Sequence, residues 1–175
     1  KLLSTLRSVW FQSFFLSKYI WGKMIAVGSD APDFKLDSQF DTEYTLSQFK
    51  GSKNVMLFFY PLDWTYTWSK EIPKIESMID RFNEVDTQVL GVSIDSKHSH
   101  KNWAESLGGV SYPLLQDFHP KGAMAISYGN YLENKGQIAR STVIVDKQGI
   151  VRYSALADGE RIISELLAEC KKINS

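Results

Sequence analysis

The chain has 175 residues, enough for one domain with a sizeable core, and 43% of them are hydrophobic, as in a soluble globular protein. Its 20 Lys and Arg balance its 20 Asp and Glu, and no long basic run occurs, so no nucleic acid partner is expected. The single cysteine, Cys170, excludes an internal disulfide framework and a CxxC motif, and is compatible with a reducing, cytoplasmic setting.

Residues 1–23 contain no Asp or Glu, yet hold Lys1, Arg7, Lys18 and Lys23 among Leu, Phe, Trp and Ser. Three readings fit. A transit peptide is basic, serine-containing and acid-poor in this way. A signal peptide or interfacial anchor would use Val9 to Ile20, but Gln12, Ser13, Ser17 and Lys18 interrupt that stretch, and it is too short to span a bilayer. The favoured reading is upstream sequence translated ahead of a start at Met24. It makes residues 1–23 a leader or extension and residues 24–175 the domain.

Val27 to Phe34 is an extended segment stiffened by Pro32. Leu36 and Tyr44 to Leu46 suggest short strands, and Phe49-Lys50-Gly51 a turn. Asn54 to Tyr60 is a near-continuous apolar run, expected of a central strand covered on both faces. A short turn follows, and a helix begins near Thr67. Ile72, Ile75, Ile79 and Phe82 recur at helical spacing, so this helix buries one face, and Pro73 should kink it. Gln88 to Ile94 is a second buried strand, followed by a helix through Trp103 to Leu107 that Gly108-Gly109 end. Tyr112 to Leu115 is a short strand and Lys121 to Tyr128 a short helix. Ile138 to Asp146 and Ile150 to Tyr153 form a hairpin around the turn Asp146-Lys147-Gln148-Gly149. The final helix runs from about Gly159 to Lys172. This order implies an α/β fold, a mixed central sheet with helices on both faces.

The turn after the first long strand carries the chemistry. It reads Pro61-Leu62-Asp63-Trp64-Thr65-Tyr66-Thr67-Trp68-Ser69-Lys70-Glu71. A side chain on the first turn of the helix meets unpaired N–H groups and the positive end of the helix dipole, which stabilises a thiolate and lowers its pKa. Pro61 and Thr65 match the pattern Pro-x-x-x-Thr-x-x-Cys of the peroxiredoxins, and Trp68 stands in the cysteine position. The resemblance extends to Gly28-x-x-Ala31-Pro32-Asp33-Phe34, to Asp63-Trp64-Thr65 and Ser69-Lys70-Glu71, to Tyr112 through Asp117, and to Arg140 through Asp146. It points to the alkyl hydroperoxide reductase and bacterioferritin comigratory protein-like branch.

The resemblance implies a thioredoxin fold with peroxiredoxin insertions. It implies a peroxidase that reduces hydrogen peroxide or organic hydroperoxides with a thiol reductant such as thioredoxin, glutaredoxin or glutathione. No cofactor or metal is called for, and a homodimer is compatible with it. In the family mechanism a thiolate attacks the peroxide and becomes a sulfenic acid. Pro61 would shape and shield the loop, and Thr65 would hydrogen-bond the peroxide. Arg140 would favour the thiolate and the leaving oxygen. Glu71, one turn further along, could hold Arg140 by a paired hydrogen bond.

An indole cannot attack an O–O bond. Trp68 is therefore a translated UGA codon for selenocysteine, a genuine replacement in an inactive binding or scaffold member, or an error for cysteine. Trp10 and Trp21 could also be UGA codons. A large indole is a poor fit in a thiol-sized pocket. Tyr66 replaces the proline usual two residues before the nucleophile, which bears on the loop's shape. Of the remaining candidates, Trp64 reads as packing, His98 and His100 as solvated, and His119 as a loop residue. Cys170 shares an apolar helical face with Ile163, Leu166, Leu167 and Ile173 and reads as core.

Overall fold

A computed structural model describes residues 23–174, so the leader readings fall, apart from Lys23, outside the described residues. The apolar run forms β3 (Asn54–Phe59), and every residue of it is buried. Alternation sends Met56 and Phe58 to one face with Tyr60, and Val55, Leu57 and Phe59 to the other, so one strand supplies both halves of the core. It pairs in parallel with β4 (Thr87–Ser93), which pairs in parallel with β5 (Leu114–Gln116). On its other side β3 pairs antiparallel with β8 (Ser141–Val145), which forms a hairpin with β9 (Val151–Leu156). The five-stranded order is β5-β4-β3-β8-β9, the mixed sheet expected. Two small antiparallel pairs flank it: β1 (Lys35–Asp37) with β2 (Glu43–Thr45), and β6 (Tyr131–Leu132) with β7 (Gln137–Ile138). The second pair gave no alternating signal in the sequence.

The face bearing Phe58 and Tyr60 is covered by α1 (Tyr66–Glu76), α2 (Ile79–Asn83), α3 (Lys97–Ser106) and α5 (Ile163–Ile173). The opposite face is covered by Phe34, Leu46 and Phe49 of the N-terminal segment and by α4 (Ala123–Ser127). The single helix expected across Ile72 to Phe82 is two. Pro73 lacks an N–H for the carbonyl one turn back, yet α1 continues through it to Glu76; the chain then breaks at Ser77 and Met78 and restarts at Ile79. Close packing between β3 and β4 requires Gly91, where an added Cβ would lie 2.7 Å from both the Phe58 ring and the Leu114 side chain.

The last helix starts at Ile163, later than expected, because residues 159–162 form a connector. Gly159 turns there at φ +101°, a conformation that suits glycine. That connector carries Arg161 back under the end of β3.

Candidate active site

The site lies where β3 ends and α1 begins. Tyr60 extends the ladder by donating its N–H to the Val92 carbonyl at 3.0 Å. Beyond it the chain wraps around Asp63, whose buried carboxylate accepts from the Tyr60 hydroxyl at 2.9 Å and from Ser99 Oγ at 2.7 Å. His100 Nδ1 stands 2.9 Å from the same carboxylate, and the Asp63 N–H donates to Asp95 Oδ2 at 2.9 Å. Burial, then the Asp63 carboxylate, pushes the Tyr60 phenol well above its ordinary pKa, so it stays a donor. Trp64 follows at φ +63°, a strained value for a residue with a side chain. Thr65 then opens the helix from extended backbone. Its hydroxyl does not cap the helix but donates to the Leu62 carbonyl at 3.1 Å, which leaves the oxygen's lone pairs as an acceptor.

Trp68 sits in the first turn of α1 and is 1% exposed. Its ring centroid is 5.2 Å from that of Tyr60. Two guanidiniums approach the same indole: the central carbon of Arg140 is 4.7 Å from the ring centroid, and that of Arg161 is 4.6 Å. Arg140 is part-exposed just ahead of β8 and donates to the Gly159 carbonyl. Arg161 is buried. Its N–H donates to Glu71 Oε1 at 2.9 Å, its Nη1 to Glu71 Oε2 at 3.2 Å, and its Nη2 to the Ser141 carbonyl at 2.8 Å. Burial pulls the Arg161 guanidinium down to about 10; Glu71 opposes that shift and Arg140 adds to it. It remains a cation at neutral pH. Arg161 Nε and Thr142 Oγ1 are buried without a hydrogen-bond partner among the described residues.

The structure thus brings Arg140 onto Trp68, with Pro61 and Thr65 on the loop leading to it. Glu71 needs a correction. It does not pair with Arg140; it holds Arg161, because the connector, not β8, passes beside the second turn of α1. Arg161 escaped the sequence reading because it stands in an irregular stretch with no periodicity and finds its partner 90 positions away. Trp64 is a second correction: it is 58% exposed, since its positive φ turns it away from the core, and its indole N–H donates to Ser99 Oγ at 3.3 Å. His100 is a third. It is fully buried, while its neighbour His98 is exposed. The signal was there to be read, since His100, Trp103 and Ala104 share one face of α3 and all three are buried. Cys170 is core, as expected, and burial raises its thiol to about 11.

Such a site can hold a small anion or anionic side chain against two cations. An indole uses only their π contacts. The AhpC/TSA family model matches residues 27–154. Among curated proteins, the chain is 37% identical over 133 residues to alkyl hydroperoxide reductase E of Mycobacterium tuberculosis, covering 76% of this chain and 86% of that protein. It is 37% identical over 139 residues to the chloroplastic 2-Cys peroxiredoxin BAS1 of Spinacia oleracea, covering 74% of this chain and 52% of that one. Among solved structures, the reduced 2-Cys peroxiredoxin of Plasmodium vivax matches with a TM-score of 0.77 at 31% identity, covering 85% of this chain and 96% of that chain. Peroxidoxin BcpB of Mycobacterium tuberculosis matches at 0.78 and 27% identity, covering 86% and 99%.

Proposed function

The chain belongs to the AhpC/TSA family, and on that premise we propose that it is a thiol-dependent peroxidase whose residue 68 is natively selenocysteine or cysteine. Its substrates are hydrogen peroxide or organic hydroperoxides. One observation carries the reading: two guanidiniums, one of them buried in an ion pair, converge on a side chain that bears no charge. A selenolate or thiolate there would meet both cations and the first turn of α1, so its ionised form would be favoured at neutral pH.

In the chemical step, the anion at residue 68 attacks the terminal oxygen of ROOH. An Se–O or S–O bond forms, the O–O bond breaks, and its electron pair leaves on RO⁻, which takes a proton from solvent to depart as ROH. The transferred oxygen keeps its hydrogen, so residue 68 becomes a selenenic or sulfenic acid, oxidised by two electrons. Two thiol equivalents, from thioredoxin, glutaredoxin or glutathione, then return it to the reduced state and give a disulfide and water. Thr65 Oγ1 accepts the peroxide O–H, its own proton being engaged by Leu62. Arg140 stabilises charge on the leaving oxygen. Pro61 shapes the loop. Glu71 acts through Arg161. A cytoplasmic setting and assembly as a homodimer belong to the same proposal; a buried, free Cys170 is compatible with the first.

A second reading keeps Trp68 as the native residue in an inactive binding or scaffold member. The full burial of the indole against Tyr60 favours it. Stopped-flow peroxide consumption with a thiol reductant separates the two. The chain as written should not turn over, and Trp68→Cys should. A folded, inert Trp68→Cys protein would establish the second reading. The codon for residue 68 tests the native identity directly.

A further inference from the structure

His100 takes no part in the chemistry above, yet it is a fully buried titratable side chain placed on the active-site loop. Its Nε2 lies 3.2 Å from the Leu115 carbonyl, which can only accept, so Nε2 carries a proton. Its Nδ1 lies 3.0 and 2.9 Å from the two oxygens of Asp63 and 3.2 Å from the Tyr60 hydroxyl. The hydroxyl spends its proton on Asp63, so the contact between ring and carboxylate is attractive only with a proton between them. His100 therefore ties α3 and β5 to the one residue around which the loop turns.

The rest of the loop depends on that anchor. Asp63 also takes Ser99 Oγ, and its backbone is pinned to Asp95, whose carboxylate is held by Ser93 Oγ at 2.6 Å. Trp64 can keep its positive φ only while the residues on either side are fixed. Thr65 follows at once, and with its hydroxyl proton given to the Leu62 carbonyl its lone pairs are left to accept. We propose that His100 is a positioning residue for the peroxide site, acting through Asp63 to hold the Trp64 turn, and with it Thr65 Oγ1 and the first turn of α1. This rests on the peroxidase reading.

The test uses His100→Leu, which removes both ring nitrogens, and His100→Asn, which keeps a hydrogen-bonding side chain there, each in the chain as written and in Trp68→Cys. Amide hydrogen exchange of residues 62–68 reads the loop without any activity. His100→Leu should quicken it by about tenfold or more, while β8 and β9 stay protected and His100→Asn stays near the parent. In Trp68→Cys, His100→Leu should lower kcat/KM for hydroperoxide by about tenfold, corrected for folded fraction, and leave unmoved the pH at which the introduced thiol ionises. A merely structural role would change folded fraction but not kcat/KM per folded molecule. If His100→Leu fails to fold, Ser99→Ala removes the 2.7 Å donor to the same carboxylate from a part-exposed position, and the same readouts apply. Unchanged loop exchange overturns the proposal. So does quickened exchange with unaltered kcat/KM, or a His100→Asn as impaired as His100→Leu. An inert Trp68→Cys parent with the expected exchange pattern would mark failure of the peroxidase reading instead, and positioning for peroxide would fall with it.

Discussion

Replacing Arg161 by Met removes a guanidinium and keeps a side chain of similar length. Glu71 is 0% exposed and Arg161 7%, so the carboxylate left behind has no access to water. It would keep only the Arg161 backbone N–H at 2.9 Å. Breaking a buried pair from one side typically costs about 3–5 kcal/mol, because the surviving charge is uncompensated. For a chain of this size each kcal/mol lowers Tm by about 2–4 °C, so Arg161→Met should fall by roughly 6–20 °C. Glu71→Met should cost a similar amount, since it strands the guanidinium. The double variant should behave differently. The Arg161 pKa, held down to about 10 chiefly by burial, shows that burying this cation opposes folding even with its partner present. Replacing both groups by apolar ones removes that opposition but leaves the Ser141 and Phe59 carbonyls without the Arg161 donor, so the double variant should lose clearly less than the sum of the two single variants. Urea unfolding followed by far-UV circular dichroism, on all four corners of the cycle at pH 7, gives the coupling energy. Additivity within about 0.5 kcal/mol would refute the reasoning, as would an Arg161→Met loss below about 1 kcal/mol.

In an active Trp68→Cys protein, Arg140→Ala should reduce the rate of peroxide consumption on the order of a hundredfold, measured by stopped flow, through loss of a charged donor worth roughly 3 kcal/mol. Cys170 should react slowly with a thiol reagent in the native protein and fast after denaturation, and rapid native labelling would contradict its burial. Its folded pKa of about 11 lies above the ordinary value of 9.0, so its contribution to stability is full below pH 9 and is lost as pH rises towards 11, by about 2–3 kcal/mol. Parallel unfolding curves for the parent and Cys170→Ala across that window isolate the loss, which the variant should lack. Gly91→Ala should destabilise by about 1–3 kcal/mol in chemical denaturation, because its methyl would meet Phe58 and Leu114 at 2.7 Å.

The sequence was most legible where one local rule decided the outcome. The near-continuous apolar run Asn54 to Tyr60 pointed to a strand covered twice, and the turn Asp146 to Gly149 announced its hairpin, with Asp146 Oδ1 taking the Gln148 and Ile150 N–H groups. Trp68 and Arg140 stand out because motif and order mark them. Legibility failed where tertiary contacts override local signals. Arg161 looks like any charged residue before a helix until Glu71 is brought beside it. His100 sits among Lys, Ser and Asn, and that polarity outweighed its helical spacing with Trp103 and Ala104. Pro73 is plain in the sequence, but the helix runs through it to Glu76, and the break at Ser77 and Met78 carries no local signal.

The pairing of β8 against β3 has a consequence for how the molecule comes into being. Because these strands run in opposite senses, Phe59 at the end of one meets Ser141 at the start of the other, and Arg140 arrives at the site from the far side of the chain. During synthesis β3 emerges early and can zip with β4, but its other edge stays bare until β8 has been made. From Val55 to Phe59 that strand is apolar, the kind of edge that recruits other chains. The cationic pocket is therefore assembled only when this seam closes. Any lesion that delays the hairpin of β8 and β9 would expose an adhesive strand and leave Trp68 without Arg140 at the same moment.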